Sequence, residues 1–196
     1  LLLMVMIILV AASEWRKFTS APWFAIEMGL IASLCTVTGA LALSKAFAIG
    51  KTAVVAPLVT SYGVFTTLLA WLGGDALSAW QVSGILVCFL GVVLASCSDT
   101  GIRLDRKATS AVSVAFALLA AMLYGISFWI QGKFALPVLG PVNMLALGYA
   151  VGVMFLIPEG SRFLRDHRSI TLQTYGSLCG ASLFNLGGFA AFSWGA

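Results

Sequence analysis

The sequence predicts an all-α protein, a polytopic transmembrane helix bundle that is incomplete at both ends. Three observations predict it. Hydrophobic residues make up 61% of the 196 residues and charged residues 9%, against roughly 25% charged in a soluble domain, and the mean hydropathy is +1.04. The apolar residues gather into long runs; residues 52–74 and 76–98 carry no charge and are parted by Asp75 alone. Each is long enough to cross about 30 Å of hydrocarbon as a helix. The runs do not alternate apolar with polar, which argues against membrane strands. Almost no polar mass is left for a separate soluble domain, and the net charge of +4 reads as loop arginines and lysines, not as a surface for nucleic acid.

Residues 1–12 read as the tail of a first helix, too short to span; a signal-peptide reading would need a basic segment before them. Residues 13–17 form a loop with Trp15 at the interface, where amphipathic rings sit. A second helix covers 22–48, with Pro22 suited to its first turn and Glu27 near the interface. Gly50-Lys51 breaks to a third helix at 52–71. The link Gly73-Gly74-Asp75-Ala76-Leu77-Ser78 is a turn signal, so the third helix and a fourth at 80–97 make a tight hairpin, with Asp75 as the cap of the fourth. A polar loop at 99–107 holds Arg103, Arg106 and Lys107. A fifth, alanine-rich helix is expected at 108–130, then a loop at 133–141 with two prolines, and a sixth helix at 142–157. The loop at 158–169 is the most polar, with Arg162, Arg165, His167 and Arg168. The last helix starts near Thr171 and runs to the end. This makes six nearly whole helices and a stub, and the severed apolar ends read as a fragment missing helices on both sides.

Several chemistries lack their residues. Cys35, Cys88, Cys97 and Cys179 have no metal or redox spacing and read as small hydrophobes. His167 lies beside Asp166 in a basic loop, a solvated cluster and not a catalytic pair. No carboxylate lies at the centre of a visible span, so the convergent groups of an intramembrane enzyme are not in view. No phosphate-binding motif supports an ATP-driven pump. No metal and no cofactor is expected.

The candidate binding residues are polar or aromatic groups within the spans. Lys45 is the one basic residue in an otherwise apolar segment; buried it would be functional, whereas near the helix end it snorkels to water beside Lys51. Tyr62 sits mid-helix, where an interfacial belt does not explain it, so its hydroxyl is expected to face protein or cavity. Tyr124 and Trp129 lie near one end of the fifth helix, where belt and cavity roles are both open. In the last helix Tyr175, Cys179, Ser182 and Asn185 recur at helical spacing, and such a face belongs in the bundle, as packing or as cavity wall. Asn185 is its sharpest member, because its amide needs partners. A similar face of Ser33, Thr36, Ala40 and Ser44 on the second helix reads as a surface for close helix approach.

A faint internal repeat relates the second and last helices. Gly39-Ala-Leu-Ala-Leu-Ser-Lys45 resembles Gly188-Phe-Ala-Ala-Phe-Ser-Trp194. The implied unit is five helices long, and an odd unit inserts its second copy upside down, giving inverted five-helix repeats.

The order of short motifs carries a family resemblance. Ala46-Phe-Ala-Ile-Gly50 is followed by Val54-Val-Ala-Pro-Leu58, Tyr62-Gly-Val-Phe-Thr66, Gly74-Asp75, Trp80-Gln81, Gly84 and Gly91-Val-Val-Leu94. This pattern resembles the drug/metabolite transporter superfamily, specifically the EamA-type ten-helix permeases, over about residues 39–96. Gly63 stands where the family has proline, which makes the kink softer or moves it, and Asp75 stands where glutamate is usual. The resemblance implies that the chain covers family helices two to eight. Residues 1–98 would then end a first repeat and residues 108–196 begin a second, around a cavity open alternately to either side. It implies a secondary transporter, permease or exporter, of small organic solutes such as metabolites, amino acids or drugs, multi-pass in the plasma membrane. The expected partners are the solute and the lipid bilayer, with a homodimer left open. A non-transporting scaffold and an intramembrane enzyme are the alternatives. The family topology puts the loops near residues 14–20, 73–78 and 133–141 in the cytoplasm, whereas the basic residues Lys51, Arg103, Arg106, Lys107, Arg162, Arg165 and Arg168 favour the reverse.

Overall fold

The computed structural model describes residues 21–76, 78–97 and 111–165, together with the single positions 176, 180, 183, 184, 187, 188 and 191. Every regular element among them is a helix. In chain order these are α1 (Trp23–Ile49), α2 (Thr52–Thr60), α3 (Tyr62–Leu72), α4 (Ala79–Cys97), α5 (Ala111–Ile130), a π-helical turn (Gln131–Ala135) and α6 (Leu136–Arg165). Three helical stretches are long and apolar enough to cross a membrane: Trp23–Ile49, Thr52–Leu72 and Ala111–Phe155. The chain is therefore a membrane protein.

α1 begins directly after Pro22, whose carbonyl accepts the Ala25 amide at 2.9 Å. Its inward stripe is Ala25, Ala32, Gly39, Ala42 and Ala46, while Leu30, Ile31, Leu34, Leu41 and Phe47 face out. Lipid is as apolar as leucine, so helices associate where small side chains let backbones meet, and the large apolar residues turn to lipid. The expected face of Ser33, Thr36, Ala40 and Ser44 is corrected accordingly. Ser33 is buried and Thr36 half-buried, but Ala40 and Ser44 are exposed. Exposure is tolerable because these hydroxyls bond their own helix, Ser44 to the Leu41 carbonyl at 2.8 Å and Thr38 to the Leu34 carbonyl at 2.8 Å.

The hairpin forms at its expected place. α3 ends at Leu72, Gly74 takes φ +89°, a conformation open to glycine, and α4 starts at Ala79. The cap is not Asp75, which lies too far upstream. Ser78 occupies the capping position: its carbonyl accepts the Gln81 amide at 2.9 Å, and the Gln81 side-chain oxygen accepts the Ser78 amide at 2.8 Å. Serine followed three residues later by glutamine has the spacing of a capping box.

Two more expectations are corrected. The stretch 133–141 is not a loop: the π-turn runs into α6, and the interruption is concentrated in Gly140, at φ 77° and ψ 163°. Pro137 lies in the first turn of α6, where proline is tolerated, and Pro141 forces the residue before it out of helical geometry. The 45 residues of Ala111–Phe155 would reach about 68 Å as one straight helix, roughly twice the hydrocarbon thickness, and the break at Gly140 divides them. The stretch 158–169 was also expected as a loop, yet α6 continues helical through Arg165.

The described residues fall into two compact units. One is Leu34–Ile130. In it α5 runs antiparallel to α1, with Ser113 beside Ala46 and Gly50, Tyr124 beside Gly39 and Ser127 beside Thr36. Its core joins Ala42 and Ala46 of α1, Val55 and Val59 of α2, and Ala117 and Ala120 of α5. The other unit takes in residues 21–33 and 131–165. There Phe24 meets Phe134 edge to face at 5.8 Å, and Gly29 lies under Leu139, Met144 and Leu147, where an added Cβ would come within 2.9 Å of Leu147.

Candidate functional site

The span Thr52–Leu72 is broken in its middle. Nine residues of α2 precede Ser61 and eleven of α3 follow it. The kink near residue 63, expected to be softer or moved, corresponds to a turn at Ser61. Pro57 lies one turn before it inside α2; its missing amide and its ring loosen the turn around residue 53, so it weakens the same span without itself setting the break. At the break the ladder tightens: the Ser61 amide reaches the Leu58 carbonyl at 3.3 Å, and the Val64 amide reaches the Ser61 carbonyl at 2.9 Å. Both are three-residue steps, the pattern that marks mid-helix hinges. Irregular backbone at membrane depth must be re-satisfied from within the protein. Here the hydroxyls do it, Thr60 donating to the Pro57 carbonyl at 2.7 Å and Ser61 to the Leu58 carbonyl at 2.6 Å.

Directly after the break stands Tyr62. Its ring meets Tyr124 of α5 at 6.3 Å, edge to face, and Phe128 at 5.2 Å, tilted. Tyr124 also covers α1, since a Cβ added at Gly39 would lie 3.4 Å from its ring. Tyr62 remains 36% exposed, so part of the ring is left open. One turn on, the backbones of α3 and α5 approach at Gly125, and the Thr66 hydroxyl donates to the Gly125 carbonyl at 3.3 Å. On the α1 side of α5, Thr36 and Ser127 share a hydrogen bond of 2.6 Å, and Ser113 donates to the Ala46 carbonyl at 3.0 Å.

A double-mutant cycle should measure the Thr36–Ser127 pair. Thr36→Val and Ser127→Ala are expected to couple by about 0.6 kcal/mol, the average of interhelical hydrogen bonds in membrane proteins. Strictly additive unfolding free energies in detergent would show that the pair does not bridge α1 and α5.

Of the residues singled out from sequence, Tyr62 and Tyr124 are brought together. Trp129, five residues beyond Tyr124, has its indole nitrogen buried. Lys45 is exposed, with its ammonium 5.7 Å from the centroid of the Phe116 ring. Ser182 and Asn185, with the stripe they belong to, lie outside the described residues. Sequence reasoning missed Thr60 and Ser61, three and four residues after Pro57. It also missed Gly125, and Gln131 and Asn143, which are 1% and 3% exposed. Both amides flank a stretch that its prolines marked as loop. Asn143 donates to the Leu139 carbonyl at 2.9 Å, across the Gly140 break. Among the described residues no three His, Cys, Asp or Glu gather as a metal ion would need.

The fold and this site define a class: a helical membrane protein packed through small residues, with an interrupted span against paired tyrosines. No protein-family model matches the chain, and no curated protein or solved structure matches it significantly.

Proposed function

We propose that the chain belongs to a secondary transporter of small organic solutes that works by alternating access, with the broken span and Tyr62 facing the solute. The observation that carries this reading is the break at Ser61 in the middle of an apolar span, beside Tyr62 and Tyr124. Transporters bind their cargo near the bilayer midplane, at discontinuous helices whose backbone is irregular where it lines a cavity. The motif order over residues 39–96 supports an EamA-type permease within the drug/metabolite transporter superfamily. On that reading residues 1–98 and 108–196 belong to two inverted five-helix repeats, multi-pass in the plasma membrane. The cavity would draw on Tyr62, Tyr124 and Trp129, with Ser182 and Asn185 from the second repeat.

The test is a solute uptake and export screen in cells expressing the protein, followed by transport of the hit by Tyr62→Leu, normalised to protein in the membrane. Transport is expected to fall about five- to thirtyfold, the loss of one ring or hydroxyl contact worth roughly 1–2 kcal/mol. A cysteine at position 62 is expected to change its labelling rate when the solute is added. Absence of transport by the wild type, with labelling indifferent to solute, would favour a non-transporting scaffold.

A further inference from the structure

We propose that α3 is a hinged arm that swings on the Ser61 break between a position docked on α5 and a released one, with the Thr66 hydroxyl as its latch. The proposal is independent of the transport reading. The two halves of the broken span are anchored unequally. α2 puts Val55 and Val59 into the core shared with α1 and α5. α3 is described throughout, and none of its eleven residues is buried. Between them Ser61 has φ −68° and ψ −2°, well off the helical ψ of about −42°. Hinges are a few element-terminal residues that absorb a backbone change. With α2 anchored in the core, α3 is the half that moves.

A narrow seam one turn beyond the break holds the arm. At Gly125 the backbones of α3 and α5 meet, and the Tyr62 carbonyl and the Thr66 amide both lie close enough to crowd an added Cβ. The Thr66 hydroxyl oxygen lies on this seam, 3.0 Å from the Tyr62 carbonyl oxygen in its own helix and 3.3 Å from the Gly125 carbonyl oxygen across it. A hydroxyl has one proton to donate, so in the docked position the two carbonyls share it. O–H···O bonds run about 2.5–3.0 Å, which makes the bond across the seam the stretched one. When α3 leaves α5, the hydroxyl turns about its Cβ–Oγ bond and keeps the Tyr62 carbonyl, with no covalent change. Release therefore leaves the hydroxyl satisfied and avoids the cost of an unmade hydrogen bond. An arm with no buried residue and a latch that re-bonds on opening populates both positions. Tyr62 stands at the pivot, and its contacts with Tyr124 and Phe128 hold the near end of α3 while the far end moves.

The test is double electron–electron resonance on the full chain in lipid nanodiscs, with its four cysteines replaced by alanine. One spin label sits at Leu72→Cys, the last residue of α3, and the other at Leu41→Cys on α1; both positions are exposed. α1 is the fixed reference, because Thr36 bonds Ser127 and the Ala46 carbonyl accepts Ser113 of α5. With Thr66 in place two distances are expected, one for each position of the arm. Gly125→Ala wedges the seam and should leave the released distance alone, which identifies it. Thr66→Val keeps the side-chain shape without the hydroxyl and should raise the released-to-docked ratio about threefold, the factor an average interhelical hydrogen bond supplies in a membrane protein. Thr66→Ser should restore the original ratio. A single distance with Thr66 in place overturns the hinge without any variant. Two distances whose ratio Thr66→Val leaves unchanged, once circular dichroism shows that variant helical, overturn the latch.

Discussion

Gly125→Ala is expected to lower the thermal stability of the purified protein in detergent by about 1–3 kcal/mol, the usual cost of overpacking. A Cβ at position 125 would lie 2.5 Å from the Phe65 Cβ, 3.1 Å from the Tyr62 carbonyl oxygen and 3.2 Å from the Thr66 amide nitrogen. Two of these three neighbours are backbone, so they cannot rotate away; α3 as a whole must move off α5. That movement would also stretch the hydrogen bond from the Thr66 hydroxyl to the Gly125 carbonyl. The control is Gly84→Ala on α4, where an added Cβ meets nothing within 4 Å. That change should be neutral or slightly stabilising, because alanine is the better helix former. Thermal unfolding followed by circular dichroism decides between them. Equal stability of the two variants would mean that α3 and α5 do not approach through their backbones.

Tyr124→Ala should have the larger effect, on the order of 3 kcal/mol or more by the same measurement. The ring lies between Gly39 of α1 and Tyr62 of α3, and it packs against the core of Ala42, Ala46, Val55, Val59, Ala117 and Ala120. Its removal would leave a void that small residues cannot fill, and in a close-packed interior the lining atoms lose their dispersion contacts outright. Tyr124→Phe keeps the ring and should unfold at nearly the wild-type temperature. The pair of variants therefore separates packing from the hydroxyl: a transport defect in Tyr124→Phe at wild-type stability assigns the hydroxyl to the solute. Wild-type stability of Tyr124→Ala would show that the ring does not hold α1 and α3 on α5.

Much of the helix layout is legible in the chain itself. α1 and α4 fall within a residue or so of the expected 22–48 and 80–97, because long charge-free runs in lipid can satisfy their backbone only as helices. The hairpin turn is legible because Gly74 supplies a conformation that few other residues adopt. Proline does not act as punctuation between the fifth and sixth helices. Pro137 sits in a first helical turn and Pro141 follows a single broken residue, so the expected loop is helical on both sides of Gly140. Asp75 was the conspicuous polar group before α4, but capping geometry depends on position, and Ser78 with Gln81 occupies it.

By itself, the sequence determines that this is a helical membrane protein, with a tight turn at Gly73-Gly74 between two charge-free runs. Those are properties of composition and local backbone chemistry, and they do not depend on neighbours. Only the tertiary structure decides which face of each helix turns inward. Large apolar side chains are as comfortable in lipid as against protein, so hydrophobic patterning along α1 does not select a face. The selection comes from where a glycine meets a residue of another helix, Gly39 with Tyr124, Gly50 with Ser113 and Gly125 with Phe65, and that coincidence depends on residues up to 85 positions apart.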